Sequence, residues 1–238
     1  MGYCKFEIQL QIMKTAIITG SSGNLGRAVV KKFLKEGWKV VGTDMHPHPE
    51  NVHENFEHMT ADLTNENDAE NFIAEVIKKY PSIDAAVMTA GGFAMGKVAE
   101  TKMDDIKKQF RLNFETAYNV ARPVFSKMME QGSGRIFMIG SKPGSDMKNS
   151  KGMVAYGLTK SLIFRLAELM NDEAKGSNVV TTIIVPSTID TPENRKAMPG
   201  VDSSKWVKPE NIAMIIYFYC SEAASVIREP VIKSYNNA

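Results

Sequence analysis

Cysteine is almost absent from the 238-residue chain: Cys4 and Cys220 are the only two, far apart and without a CxxC partner. The pair encodes neither a zinc ligand set nor a redox dithiol, and it fits a reducing compartment. Long apolar runs are also missing, since the longest, Ile212 to Cys220, falls far short of the roughly 20 residues of a membrane helix. No apolar signal-peptide core precedes a small-residue cleavage site, so the sequence predicts a cytoplasmic protein with no membrane partner. Neither charge is in excess: 29 basic against 27 acidic side chains leaves +2 and no basic stripe to hold nucleic acid. With 17 glycines and 10 prolines the chain is not of low complexity.

What is present is a rhythm. Apolar, β-branched runs at Thr15 to Thr19, Lys39 to Thr43, Ala85 to Thr89, Arg135 to Ile139 and Val179 to Val185 read as buried parallel strands. Between them Leu25 to Lys35, Asn67 to Lys79, Lys102 to Met129 and Ala155 to Glu173 carry apolar residues at helical spacing. His58 to Ala61 reads as one more short strand, and Pro230 to Lys233 as a late one. Strand alternating with helix predicts an α/β fold: a single Rossmann-type, doubly wound parallel sheet with helices on both faces. Residues 13–238 form one domain in this reading, and its ligand crevice lies beyond the carboxyl ends of the strands. Residues 1–12 alternate apolar and polar side chains, as a half-buried strand does, but they precede that rhythm and read as an N-terminal extension.

Directly after the first strand, TGSSGNLG from Thr19 to Gly26 opens a helix. Gly20 can take a positive φ, Gly23 lets the backbone approach a pyrophosphate, and Gly26 lets the helix sit close to the sheet. A dinucleotide phosphate would meet the free N–H groups of that helix. The second strand ends at Asp44, where a carboxylate accepts ribose hydroxyls and repels a 2′-phosphate, so NAD is expected over NADP. His46, His48, His53 and His58 follow closely, but no common face or partner ligand supports a metal site, and none is expected.

Tyr156 and Lys160 stand at i and i+4 on one helix face. A free phenol titrates near 10, and an adjacent ammonium favours its ionised form, which would bring Tyr156 into range as an acid/base. Ser141 follows the fifth strand and can donate to a developing oxyanion; Asn113 lies in the long helix before it.

With TGSSGNLG, YGLTK, Ser141 and Asn113 together, the sequence resembles the short-chain dehydrogenase/reductase superfamily from about Met13 onward. That resemblance implies an NAD(P)-dependent oxidoreductase that moves a hydride between a nicotinamide and a small carbonyl or alcohol, with Asn113, Ser141, Tyr156 and Lys160 as its catalytic set. It implies cofactor contacts from Gly20, Ser22, Gly23, Asn24, Leu25 and Gly26 in the turn, and from Asp44, Asp62 and Leu63 around the adenosine. It extends them to Ala90, Gly91 and Gly92, to Tyr156 and Lys160 at the nicotinamide ribose, and to Pro186, Thr188, Ile189 and Thr191 at the carboxamide. Asn113 would hold a water linking Lys160 to solvent.

Within the superfamily, Thr188 to Trp206, AGG at Ala90 to Gly92 and YGLTK are similar to dihydropteridine reductases. Those members imply an NADH-dependent reduction of a quinonoid dihydropterin. Ser141 and Asn113 are untypical of them and keep a carbonyl or alcohol substrate open. A non-catalytic NAD sensor is a further alternative, since fold does not imply catalysis. An epimerase shares the glycine spacing but needs a larger substrate lobe than follows Thr191. The loop 191–206 is expected to cover the substrate pocket as a mobile lid with Met198 and Trp206 as apolar tips. Related proteins pair the helices matching Lys102 to Met129 and Ala155 to Glu173, so a homodimer or homotetramer is expected.

Overall fold

The computed structural model describes residues 13–46, 53–146, 148 and 150–236, so the N-terminal extension and His48 lie outside the described residues. Seven strands pair, all parallel, in the order β3-β2-β1-β4-β5-β6-β7. They are β1 Thr15–Thr19, β2 Lys39–Asp44, β3 Phe56–Thr60, β4 Ala85–Met88, β5 Ser133–Ile139, β6 Asn178–Pro186 and β7 Val231–Ser234. β1 is buried along its whole length because helices cover both faces of the sheet, which is why it reads as a run of apolar and β-branched residues without alternation. β3, at one edge, is only half-buried and carries polar residues between Phe56 and Met59.

Side chains alternate across the sheet and divide the core in two. On one face Ile18, Val40, Val87 and Ile184 pack with Val29 and Phe33 of α1 (Asn24–Lys35) and Ile212 and Ile216 of α8 (Pro209–Tyr219). On the other, Ile17, Val41, Ala86, Ile136 and Ile183 meet Ile73 and Val76 of α2 (Glu66–Lys79), Val120 and Val124 of α4 (Thr116–Gln131), and Ile163 and Ala167 of α6 (Val154–Glu173). Each of the valine, isoleucine and phenylalanine side chains contributes about 1.5–3 kcal/mol on burial. The sheet is therefore the doubly wound one the sequence predicts. Strand order reverses between β1 and β4, so the crevice opens above their carboxyl ends.

The helix expected from Lys102 to Met129 is not continuous. α3 (Met103–Phe110) runs into a π-helical turn at Arg111–Glu115 before α4 begins. Such a turn inserts a residue into the helical ladder and re-aims the side chains it carries, here Asn113. Two short helices, α5 (Lys142–Ser145) and α7 (Pro192–Ala197), are too brief to show a period in sequence. Among the described residues no helix is long and apolar enough to cross a membrane.

Candidate active site

The glycine turn is held from three sides. Gly20 has φ +63° and donates its N–H to Thr43 O at 2.9 Å, while Ala90 N donates to Thr19 Oγ1 at 3.2 Å and Thr89 Oγ1 to Thr19 O at 2.6 Å. A Cβ on Gly20 would lie 2.9 Å from Ala90 N, and one on Gly26 only 2.0 Å from Gly20 O. Glycine at both positions lets α1 and β4 close on the turn. Gly23 caps α1 in an extended conformation with no side chain covering the helix end, which leaves the first N–H groups of α1 available to an anion. Leu25 is buried beneath the turn, while Asn24 Nδ2 reaches across the crevice to Glu193 Oε2 at 2.8 Å.

Asp44, at the end of β2, is less free than a ribose acceptor was expected to be. Its Oδ2 accepts from Ser21 Oγ at 2.5 Å and Ser22 N at 3.0 Å and lies 3.3 Å from His58 Nε2; Oδ1 has Ser22 N at 3.2 Å. Oδ1 keeps the spare capacity. Sequence reasoning missed Ser21 and His58 as partners, because only the β2–β3 register, which pairs His58 with Gly42, puts the imidazole on Asp44's side of the sheet. Asp62 is tied to Thr64, accepting from its N–H at 2.9 Å and its hydroxyl at 2.7 Å, and the Leu63 carbonyl accepts from Asn119 Nδ2 at 3.0 Å. Among the described residues no group of three His, Cys, Asp or Glu could hold a metal.

On the other side of the crevice, Asn113 is bonded to protein through both of its side-chain amide atoms. Its Oδ1 accepts from Gly92 N at 3.1 Å, and its Nδ2 donates to Gly92 O and to Gln109 Oε1, both at 3.0 Å. A Cβ on Gly91 would stand 2.8 Å from Asn113 Oδ1 and 3.7 Å from Lys160 Nζ, so Asn113 and Lys160 meet over that glycine. Lys160, 6% exposed, donates to the Ile139 carbonyl at 2.8 Å, and its Nζ lies 5.9 Å from the centre of the Tyr156 ring. Burial alone lowers the Lys160 ammonium to about 8. Tyr156 moves the other way. Burial holds its phenol above the ordinary 10, against the opposing pull of Ser141. The sequence-based expectation is a phenol made more acidic; in the free protein desolvation of the ring outweighs the hydrogen bond to Ser141 and the shift is upward.

Ser141 is buried and caps α5, its Oγ accepting from Gly144 N at 3.3 Å. Phe93, which the sequence did not single out, is 60% exposed and meets Tyr156 edge-on with ring centres 4.9 Å apart. Its signal was its place directly after the two glycines that follow β4.

The loop after β6 is clamped at its base. Ile189 bridges to Val207, Val207 N donates to Thr188 O at 2.9 Å, and Asp190 N donates to Val207 O at 2.8 Å. Thr191 caps α7 through Asn194 N at 3.2 Å, and Pro186 ends β6. Trp206 is not an exposed lid tip. It is 5% exposed, and Met198 is half-buried, because the bridge at Val207 carries the neighbouring indole into the fold.

A family model described as short chain dehydrogenase matches residues 14–201. The chain belongs to the short-chain dehydrogenase family. This short-chain dehydrogenase is therefore an oxidoreductase of a family that uses nicotinamide cofactors. It is 26% identical to the dihydropteridine reductase of Dictyostelium discoideum over 89% of this chain and 90% of that protein. It is 25% identical to an NAD-dependent glycerol dehydrogenase of Listeria innocua, covering 90% and 89%. The solved structure of ElxO with NADP bound superposes with a TM-score of 0.86 at 23% identity, covering 94% of this chain and 98% of that one.

Proposed function

We propose that this short-chain dehydrogenase moves a hydride between a nicotinamide dinucleotide and a small carbonyl or alcohol, with Tyr156 as the acid/base. The observation that carries the reading is the gathering of Ser141, Tyr156 and Lys160 at the carboxyl end of β5, beside the crevice. The dinucleotide supplies the hydride when bound. The glycine turn fits such a group: α1 begins without a side-chain cap, and the backbone at Gly20 and Gly26 leaves no room for a Cβ. Asp44 Oδ1 suits the adenosine ribose, and the charge of that carboxylate disfavours a 2′-phosphate, so NAD is the preferred form.

In the reductive direction the Ser141 hydroxyl donates a hydrogen bond to the substrate oxygen, and Tyr156 gives that oxygen its phenolic proton. Burial keeps Tyr156 protonated and so ready to donate. The phenolate left behind is stabilised by the Lys160 ammonium, which the Ile139 carbonyl holds in place. Asn113, bonded to both backbone groups of Gly92, braces the wall of the pocket. Tyr156→Phe tests the reading. NADH oxidation with a reducible carbonyl should fall by about 100-fold or more, while NADH affinity, read by its fluorescence, stays within about twofold. Undiminished turnover in the variant would refute the mechanism.

A quinonoid dihydropterin is the second reading. It is favoured by the similarity to the Dictyostelium reductase and by the exposed Phe93 ring beside Tyr156, which offers a flat apolar face to a planar heterocycle. A panel of carbonyls, alcohols and quinonoid dihydropterin, each run with NADH and NADPH, separates the two: a rate with the pterin alone selects this one. We also propose symmetric self-association through α6, which exposes Leu158, Leu162 and Leu169 on its outer side, with Tyr118 of α4 exposed as well. Sedimentation of Leu162→Glu should then give a smaller species than the wild type.

A further inference from the structure

We infer that Lys142 anchors an anionic group of the substrate, so that the preferred substrates are oxo acids or their hydroxy-acid counterparts. The inference rests on the carbonyl reading above. Lys142 is the first residue of α5 and follows Ser141 directly, so the two Cα atoms are about 3.8 Å apart. Lys142 is half-buried as a residue, and an aromatic ring receives its charge. The ammonium sits 4.2 Å from the centre of the Tyr235 ring, and among the described residues no carboxylate pairs with it.

The aromatic seat is itself fixed. Ser187, directly after β6, donates its hydroxyl to the Tyr235 carbonyl at 2.9 Å and its N–H to Ser234 O at 3.0 Å. Asn236 Nδ2 then donates to Trp206 O at 3.2 Å, tying the strand that ends the sheet to the base of the substrate loop. Three chain segments thus converge on Lys142: the end of β5, the end of β6 and the residues after β7. A lysine whose stem and charge rest on an aromatic face keeps N–H donors pointing away from that face. With a carbonyl held by Ser141 and Tyr156, a carboxylate a few bonds along the same molecule comes within reach of those donors. One charge-assisted hydrogen bond of this kind is enough to separate an acid from its uncharged ester.

The test measures NADH oxidation by the full chain with acetoacetate against methyl acetoacetate, and levulinate against methyl levulinate. The wild type should favour at least one acid over its ester by about tenfold or more in kcat/KM. Lys142→Met should bring that ratio close to one, and Lys142→Arg should retain it. An acid-to-ester ratio near one in the wild type, or one that Lys142→Met leaves in place, overturns the anchor while turnover of the esters leaves the carbonyl reading standing. If no carbonyl is turned over, that reading fails separately, and the anchor is decided by binding. Calorimetry of malonate against malonamide on the NADH-loaded protein should show a preference for malonate of about tenfold that Lys142→Met abolishes; equal binding of the two overturns the anchor. Circular dichroism of both variants confirms that each is folded.

Discussion

Replacing Lys160 with methionine isolates the cost of keeping a charge inside the protein. Burial brings this ammonium from its ordinary 10.5 to about 8, which at about 1.4 kcal/mol per pH unit is a destabilisation of about 3 kcal/mol. Below pH 8 the lysine is charged in both the folded and unfolded chains, and the folded state bears the whole cost. Between 8 and 10.5 the unfolded chain binds a proton that the folded one has released, so wild-type stability climbs with pH. Above 10.5 the side chain is neutral in both states and the cost is gone. The methionine variant lacks this titration, while every other titrating group is common to both proteins and cancels. Loss of the bond to the Ile139 carbonyl shifts the variant's stability at all pH values alike. The measurement is urea unfolding of both proteins at pH 7.5, 9 and 10.5. The wild type should gain about 3 kcal/mol relative to Lys160→Met over that span, or about 1 M in midpoint for an m of about 3 kcal/mol/M. Curves that stay parallel would refute the claim that burial depresses this lysine.

Three other substitutions address separate parts of the structure. Gly26→Ala puts a methyl 2.0 Å from the Gly20 carbonyl, a backbone atom that cannot step aside, and should cost about 3 kcal/mol or more in urea unfolding and weaken NADH binding. Trp206→Ala empties a buried site at the base of the substrate loop and should lower stability by about 3–5 kcal/mol, whereas an exposed lid tip would show almost no change. Asp44→Asn removes the charge facing the ribose while keeping an acceptor for Ser21 and Ser22; the ratio of NADPH to NADH dissociation constants should fall by about tenfold, read by fluorescence titration.

Most of the sheet was legible because both of its faces are covered, so β1, β4 and β6 appear as runs rich in apolar and β-branched residues that no amphipathic pattern imitates. The turn was legible because steric demand at Gly20 and Gly26 leaves glycine as the residue that fits. What escaped the sequence depends on contacts between distant segments. A π turn leaves Phe110 and Phe114 in contact, as a regular helix would, while it re-aims the side chains it carries, Asn113 among them. Trp206 looked like a lid tip because nothing local announces the bridge from Ile189 to Val207. The Tyr156 and Lys160 pair was visible at i and i+4, but the sign of the phenol's shift was not, since it is set by how much protein closes around the ring.

The bond from Asn24 to Glu193 joins residues 169 positions apart across the mouth of the crevice, one on each bank. Both partners are exposed, so this strut across the mouth is made at the surface and not through the buried core. Its carboxyl end is held below the usual glutamate range by its own backbone N–H and then by Asn24, so acid slackens the strut by protonating it. A change at either of these two solvent-facing side chains therefore alters the entrance while leaving the packing of the sheet beneath it in place.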